Sequence, residues 1–219
     1  MPAFNTLQQR QQQLIRKALN GGIWTAASSA AAPAALTSGA GADPVALPVG
    51  YSDVGYITKD DGASWSRDMD TSDTTSWGAF EPTRRDITSD VTNLKFTMQE
   101  TKRQSLELYY GVDLSSVTPT AVTGEVAFNQ ASANTTIYRR FYAIMADGVG
   151  ADAVYIGRFC PRMSVTTVDD QAWTDGSELQ YPVTGTAFVD PTLGYAVRHF
   201  FGGPGWAAQL EAAGFPALA

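Results

Sequence analysis

One cysteine and one histidine are all that this chain of 219 residues supplies. With Cys160 alone no intrachain disulfide framework can form, and with His199 alone most metal sites and most nucleophile–histidine pairs are excluded. No stretch approaches the ~18 apolar residues that a membrane span requires. Positive charge is scarce as well: 15 Lys and Arg stand against 22 Asp and Glu, a formal net charge of −7. That balance disfavours sequence-independent affinity for nucleic acid, which needs clustered basic residues. An acidic surface instead keeps a protein soluble, or repels DNA that must slide past it. No internal repeat is visible.

What is present suffices for a core. Hydrophobic residues make up 44 % of the chain and charged residues 17 %, which argues against global disorder. The charge is uneven. Residues 1–42 hold Arg10, Arg16 and Lys17 and no acid, so every carboxylate lies beyond them. The sequence therefore divides into a basic N-terminal arm, residues 1–46, and an acidic body, residues 47–219. Within the arm, Thr6 to Leu19 has capping-box spacing at Thr6 and Gln9 and one apolar face, predicting a short helix stopped by Gly21 and Gly22. Such a helix needs a partner, either its own domain or a neighbouring subunit. Residues 26–47, rich in Ala, Ser, Gly and Pro, read as a flexible or extended linker. The segment Ile15–Ala42 lacks the Leu-rich stretch of a signal peptide.

The body is mainly strand. Val49–Thr58 and Ala63–Arg67 flank Lys59-Asp60-Asp61-Gly62, where Asp-Gly predicts a hairpin turn. Asp68–Asp86 is polar and turn-rich and reads as a long loop. Thr92, Leu94, Phe96 and Met98 alternate with polar residues, the pattern of a half-buried strand. Capping-box spacing at Thr101 and Gln104, then Leu106, Tyr109 and Gly111, predicts a short helix. Val122–Phe128, Thr136–Ala146, Ala153–Val168, Glu178–Val189 and Tyr195–Phe201 are further strand candidates, with Pro161 expected at an edge or a bulge. Trp206–Ala213 is a last short helix. The expected fold is mainly β, a sandwich or barrel with one flanking short α-helix.

Candidate chemistry is thin. Asp60, Asp61, Asp68, Asp70 and Asp73 cluster, yet lack the ligand register of a calcium loop and read as a solvated acidic segment. Asp147-Gly-Val-Gly-Ala-Asp152 has glycines but no following Lys-Ser/Thr, and strands flank it, so it reads as a hairpin. Cys160, beside Phe159 within a strand, reads as buried and inert. His199 alternates with Val197 and Phe201 and reads as a packed or interface residue. Arg84-Arg85 is one adjacent basic pair. The other, Arg139-Arg140, points to opposite faces of a strand and cannot act as one patch. Carboxylates placed for glycosidase chemistry have no specific sequence signal. No catalytic, cofactor-binding or metal-ligating residue is assigned, and the chain is not read as an enzyme.

The run Leu47-Pro-Val-Gly-Tyr-Ser-Asp-Val-Gly-Tyr-Ile-Thr-Lys-Asp-Asp-Gly62 resembles the opening of major tail tube proteins of actinobacterial siphophages. Trp77-Gly-Ala-Phe-Glu-Pro-Thr-Arg-Arg-Asp-Ile-Thr-Ser-Asp90, Phe96-Thr-Met-Gln-Glu-Thr101 and Leu106-Glu-Leu-Tyr-Tyr-Gly111 are similar to that family in order and spacing. The similarity spans roughly residues 47 to 205 and leaves residues 1–46 outside it. It implies a tail-tube β-sandwich or barrel in hexameric rings that stack into a tube, the channel for DNA ejection, with DNA passing without specific binding. Implied partners are the chain itself, the tape measure, the tail tip and the tail terminator, with no membrane. The implied location is the virion tail, reached through the host cytoplasm during assembly. The N-terminal arm and Asp68–Asp86 are candidates for ring-to-ring contacts. Rival readings are a carbohydrate- or receptor-binding β-module with Trp65, Trp77 and Trp173 as its platform, another virion building block, and an enzyme.

Overall fold

The computed structural model describes residues 4–8, 10–130 and 135–218. Its strands are β1 (Asn20–Ala27), β2 (Thr37–Ser38), β3 (Asp43–Pro44), β4 (Ser52–Asp53), β5 (Ser64–Thr74), β6 (Arg84–Met98), β7 (Arg139–Asp147), β8 (Val154–Val168), β9 (Tyr181–Ala187) and β10 (Arg198–Gly202). The α-helices are α1 (Phe4–Leu7), α2 (Arg103–Tyr110) and α3 (Pro204–Ala207). The fold is mainly β, with α2 as the flanking helix.

An eight-stranded antiparallel sheet runs β4-β1-β7-β8-β9-β6-β5, and β10 also pairs with β8. Its two ends meet. Val54 N–H donates to Ile23 O of β1 at 3.0 Å, and four residues later Thr58 N–H donates to Thr97 O of β6, also at 3.0 Å. The short segment after β4 thus bridges β1 and β6 and closes a flattened barrel, which removes exposed edges there. β8 turns the corner: its first half pairs with β10 and its second half with β9, while β7 holds the other edge. Pro161 lies at the bulge where the β7–β8 register shifts, as expected for a residue with no N–H to donate.

Alternation sets the core. Leu94, Phe96 and Met98 point inward from β6 and meet Ile23, Phe141, Cys160, Met163, Tyr181 and Val183. Helix α2 adds Leu108 and seals one end, stopped by Gly111 at φ 64°, a left-handed conformation that glycine adopts without strain. Its N-terminus departs from the expected capping box. Lys102 is the cap residue and its side chain makes no capping bond, while the Thr101 hydroxyl lies 2.8 Å from that of Tyr181.

Four expectations are corrected. The helix over Thr6–Leu19 is absent; only α1 and a single 3-10 turn at Gln12–Leu14 form among the described residues. Asn20–Ala27 lies in the segment assigned to the arm, yet it is a strand paired along its whole length with β7, with Ile23 buried in the core. Residues 26–47 are no free linker: Leu36 is buried against Tyr142 and Phe159, covering the outer face of β7 and β8. The body therefore does not start at Leu47. Val122–Phe128 forms no strand.

The Asp-Gly turn is the most instructive difference. Ile57 pairs with Met98 and Ser64 pairs with Lys95, both antiparallel to β6 on the same edge. Lys59–Gly62 is thus a bulge in one continuing strand rather than a reversal. The reversal falls at residues 75–83, and Asp68–Asp86, expected as a loop, belongs to a long two-stranded ribbon.

Candidate assembly surfaces

β9 accompanies β6 only from Asn93 to Met98. Over Arg84–Thr92, β6 pairs with β5 alone, so the ribbon leaves the body and projects roughly 30 Å at strand rise. A two-stranded ribbon by itself is at best marginally stable in water. Ion pairs brace it: Arg67 grips Asp90 at 2.6 Å, Arg85 grips Asp73 at 2.7 Å and Arg84 meets Asp86 at 2.9 Å. The hydrogen bonds from Arg67 and Arg85 hold the carboxyls of Asp90 and Asp73 below the usual carboxylate range. These groups are exposed, so each pair adds little on its own.

Register gives the ribbon two unlike faces. One continues the barrel interior and carries Arg67, Met69, Asp90 and Ile87, with Met69 and Ile87 exposed. The other continues the barrel exterior and carries Ser66, Asp68, Asp70, Ser89 and Asn93. At the tip, Trp77 and Phe80 stand fully in solvent.

The outer wall of β5, β6, β9 and β8 is polar, and it is open around Asn93 and Thr186. Asn93 Nδ2 donates to Asp68 Oδ2 at 2.9 Å, and the Thr186 hydroxyl donates to Asn93 Oδ1 at 2.7 Å. The hydroxyls of Thr166 and Thr186 lie 2.9 Å apart. One chain of side-chain hydrogen bonds thus crosses all four strands. Lys95, the cation on this wall, is neutralised by Asp169 at 2.8 Å. The opposite outer wall, over β7, β8 and β10, is by contrast covered with apolar packing from Leu36, Leu47 and Tyr51.

The other singled-out residues disperse. Asp60 and Asp61 sit in the bulge, Asp68 and Asp70 on the outer ribbon face, and Asp73 on the inner face beside Arg85. Cys160 is buried, and burial pushes its thiol up to about 12. His199 on β10 pairs with Arg158, and partial burial with that neighbouring guanidinium pushes its pKa down. Arg139 turns inward to Glu107 at 2.8 Å, whereas Arg140 donates to Ser28 O on the outer side. Of the three tryptophans expected to form a platform, Trp65 packs against the core under Arg158, Trp77 caps the distant ribbon and Trp173 lies in the loop before β9. They do not converge. Among the described residues no group of three or more His, Cys, Asp or Glu could hold a metal ion. Also among them, no helix is long and apolar enough to cross a membrane.

A closed β-barrel, a polar outer wall and a ribbon lacking a partner of its own define a structural β-protein whose prominent surfaces suit contact with other protein chains. The family model described as phage tail tube protein matches residues 9–196, and the chain belongs to that family. It is accordingly a structural protein of the tail tube, in the virion tail. No curated protein matches the sequence. The family match includes most of the segment 1–46 that the sequence resemblance left out, in keeping with the place of β1 inside the barrel. The sequence marks Asp68–Asp86 as a contact candidate but reads it as a loop; its paired ribbon form is what the sequence reading missed. Its signal was present only as two Arg-Asp complements, Arg67 with Asp90 and Asp73 with Arg85, separated by a Trp-Gly turn.

Proposed function

We propose that the chain forms hexameric rings that stack into the tail tube, with the polar wall of β5, β6, β9 and β8 facing the channel through which DNA is ejected. The observation that carries this reading is the unaccompanied ribbon together with the hydrogen-bonded Ser/Thr/Asn/Asp wall from which it springs. Ribbons from neighbouring subunits extend one another's sheets, giving each unpaired edge a partner. The wall then presents acids and neutral hydroxyls to DNA, with its lysine already paired, so no row of free cations arrests the passing phosphates. Partners in this reading are further copies, the tape measure, the tail tip and the tail terminator, met in the host cytoplasm during assembly.

Electron microscopy of the purified chain over a range of concentrations, with hydrogen exchange on the same samples, tests this. Hollow tubes or six-fold rings are expected, with amides of residues 67–74 and 84–92 exchanging freely in the monomer and becoming protected on assembly. Assemblies in which those amides stay unprotected would show that the ribbon is not the joining element. Rings of another order would replace the symmetry.

A further inference from the structure

The barrel end away from α2, where the ribbon leaves, is not filled. An open cleft of about 750 Å³ lies there, walled by Ile23, Ala143, Met145, Ile156, Trp65 and Arg158, with Lys59, Asp53 and Glu100 also along it. Clefts of this size commonly enclose bulky apolar groups. Arg158 spreads over the Trp65 ring with its guanidinium carbon 4.9 Å from the centroid. Among the described residues it makes no ion pair.

The ribbon tip is complementary. Trp77 and Phe80 are both 107 % exposed, so neither has a packing partner in its own subunit. Glu81 is the single charged residue between Thr74 and Arg84, and it too makes no ion pair among the described residues. The tip stands roughly 30 Å along the ribbon from Trp65, so it cannot reach its own cleft while the β5–β6 pairs hold. An apolar-walled cleft with an Arg158 that makes no ion pair among the described residues, and an aromatic tip with a Glu81 that makes none either, lie too far apart to meet within one molecule and call for a second copy.

We propose that the Trp77–Glu81 tip of one subunit seats in the cleft of the next, with both aromatic rings against Met145 and Ile156 and the Glu81 carboxylate on Arg158. The contact joins two different patches, so it is heterologous and propagates from copy to copy, closing into a ring when the rotation allows. The cleft opens at the root of the ribbon and its occupant arrives at the ribbon's end. The contact therefore sets the spacing between neighbours at about one ribbon length, ~30 Å. This inference rests on the self-assembling tube reading and names the acceptor for its ribbon.

Two cysteine variants of the full chain, Trp77→Cys and Met145→Cys, are mixed and oxidised, with the unaltered chain as control because Cys160 is buried. Cross-linked dimers from the mixture alone are expected. Separately, Glu81→Arg and Arg158→Glu are each expected to weaken association in sedimentation velocity about tenfold, and the double variant to recover it. Glu81→Arg alters only an exposed tip, so its result does not depend on how the cleft tolerates Arg158→Glu. Tubes without cross-link overturn the tip contact and leave the tube reading intact. Cross-linked dimers without rings or tubes support the contact and overturn ring closure. Neither cross-link nor assembly overturns both, as does association unchanged by either charge variant for the contact.

Discussion

Glu107 is a charged side chain only 5 % exposed, held in the middle of α2. Arg139 meets it at 2.8 Å, Arg103 at 3.4 Å one turn away, and the Leu114 N–H donates to it at 3.2 Å. The carboxylate therefore ties the helix to β7 and to the chain that follows α2. Removing one partner of a buried pair leaves the other charge uncompensated, so Glu107→Ala is expected to cost about 3–5 kcal/mol. Urea denaturation reads this as a lower midpoint at unchanged slope; a loss under 1 kcal/mol would mean that water already reaches the pair. Cys160 gives a pH-dependent counterpart. Burial raises its thiol from the ordinary 9.0 to about 12, so the folded state holds the proton more tightly than the unfolded chain. The associated stability is complete below about pH 9 and is lost as pH rises from there toward 12. At neutral pH a thiol reagent is expected to label Cys160 no faster than the chain unfolds, and rapid native-state labelling would contradict its burial.

Strand β1 and the ribbon show why elements differ in how plainly a sequence announces them. Thr92–Met98 and α2 were legible because each buries one face and exposes the other, which writes a period into the sequence. Both outward faces of the ribbon are wet, so Asp68–Thr74 and Arg84–Asp90 carry no such period and their Ser, Thr and Asp mimic a loop. Register there is fixed by cross-strand Arg–Asp pairs, which only a known pairing reveals. β1 was hidden by its glycines. Asn20-Gly21-Gly22 looks like a helix stop, yet Gly21 is where β1 crosses β7 so closely that a β-carbon would sit 2.9 Å from Ile144 O. The assembly wall was half legible: alternation exposed Asn93 and Lys95, but their partners Asp68, Thr186 and Asp169 come from distant sequence. A consequence for truncation follows from β1. Deleting residues 1–15 removes none of the strands among the described residues and is expected to leave the melting temperature within a few degrees. Deleting residues 1–46 strips β1 from between β4 and β7 and buries nothing in place of Ile23, so no cooperative melt is expected by circular dichroism. A cooperative melt for the longer deletion would mean that β7 and β4 close the barrel without β1.

At the scale of the molecule, the two outer walls divide the labour. The wall over β7, β8 and β10 is sealed by residues 28–51, which spend the chain's remaining apolar side chains on a second cluster around Tyr142 and Phe159. The wall over β5, β6 and β9 is covered only near Thr97 and Pro182, and the polarity of the rest is satisfied internally by the Asp68–Asn93–Thr186–Thr166 chain. A surface that already bonds to itself offers few free donors to a phosphate backbone, and its acids repel one. In the proposed tube this wall meets DNA, and charge reversal there tests that placement. Asp70 shares the outer ribbon face with Asp68 and has no side-chain partner among the described residues, so Asp70→Lys leaves the hydrogen-bonded chain untouched. With Asp68→Lys added, each hexameric ring would gain roughly a dozen cations along the channel, and counterion release makes their grip on DNA strong at low salt. Tubes of the double variant are expected to form normally but to retain short DNA, with retention falling steeply as salt rises, while unaltered tubes let it pass. Variant tubes that assemble and still retain no DNA at low salt would put this wall on the outside, and the channel would have to be lined by another face of the barrel.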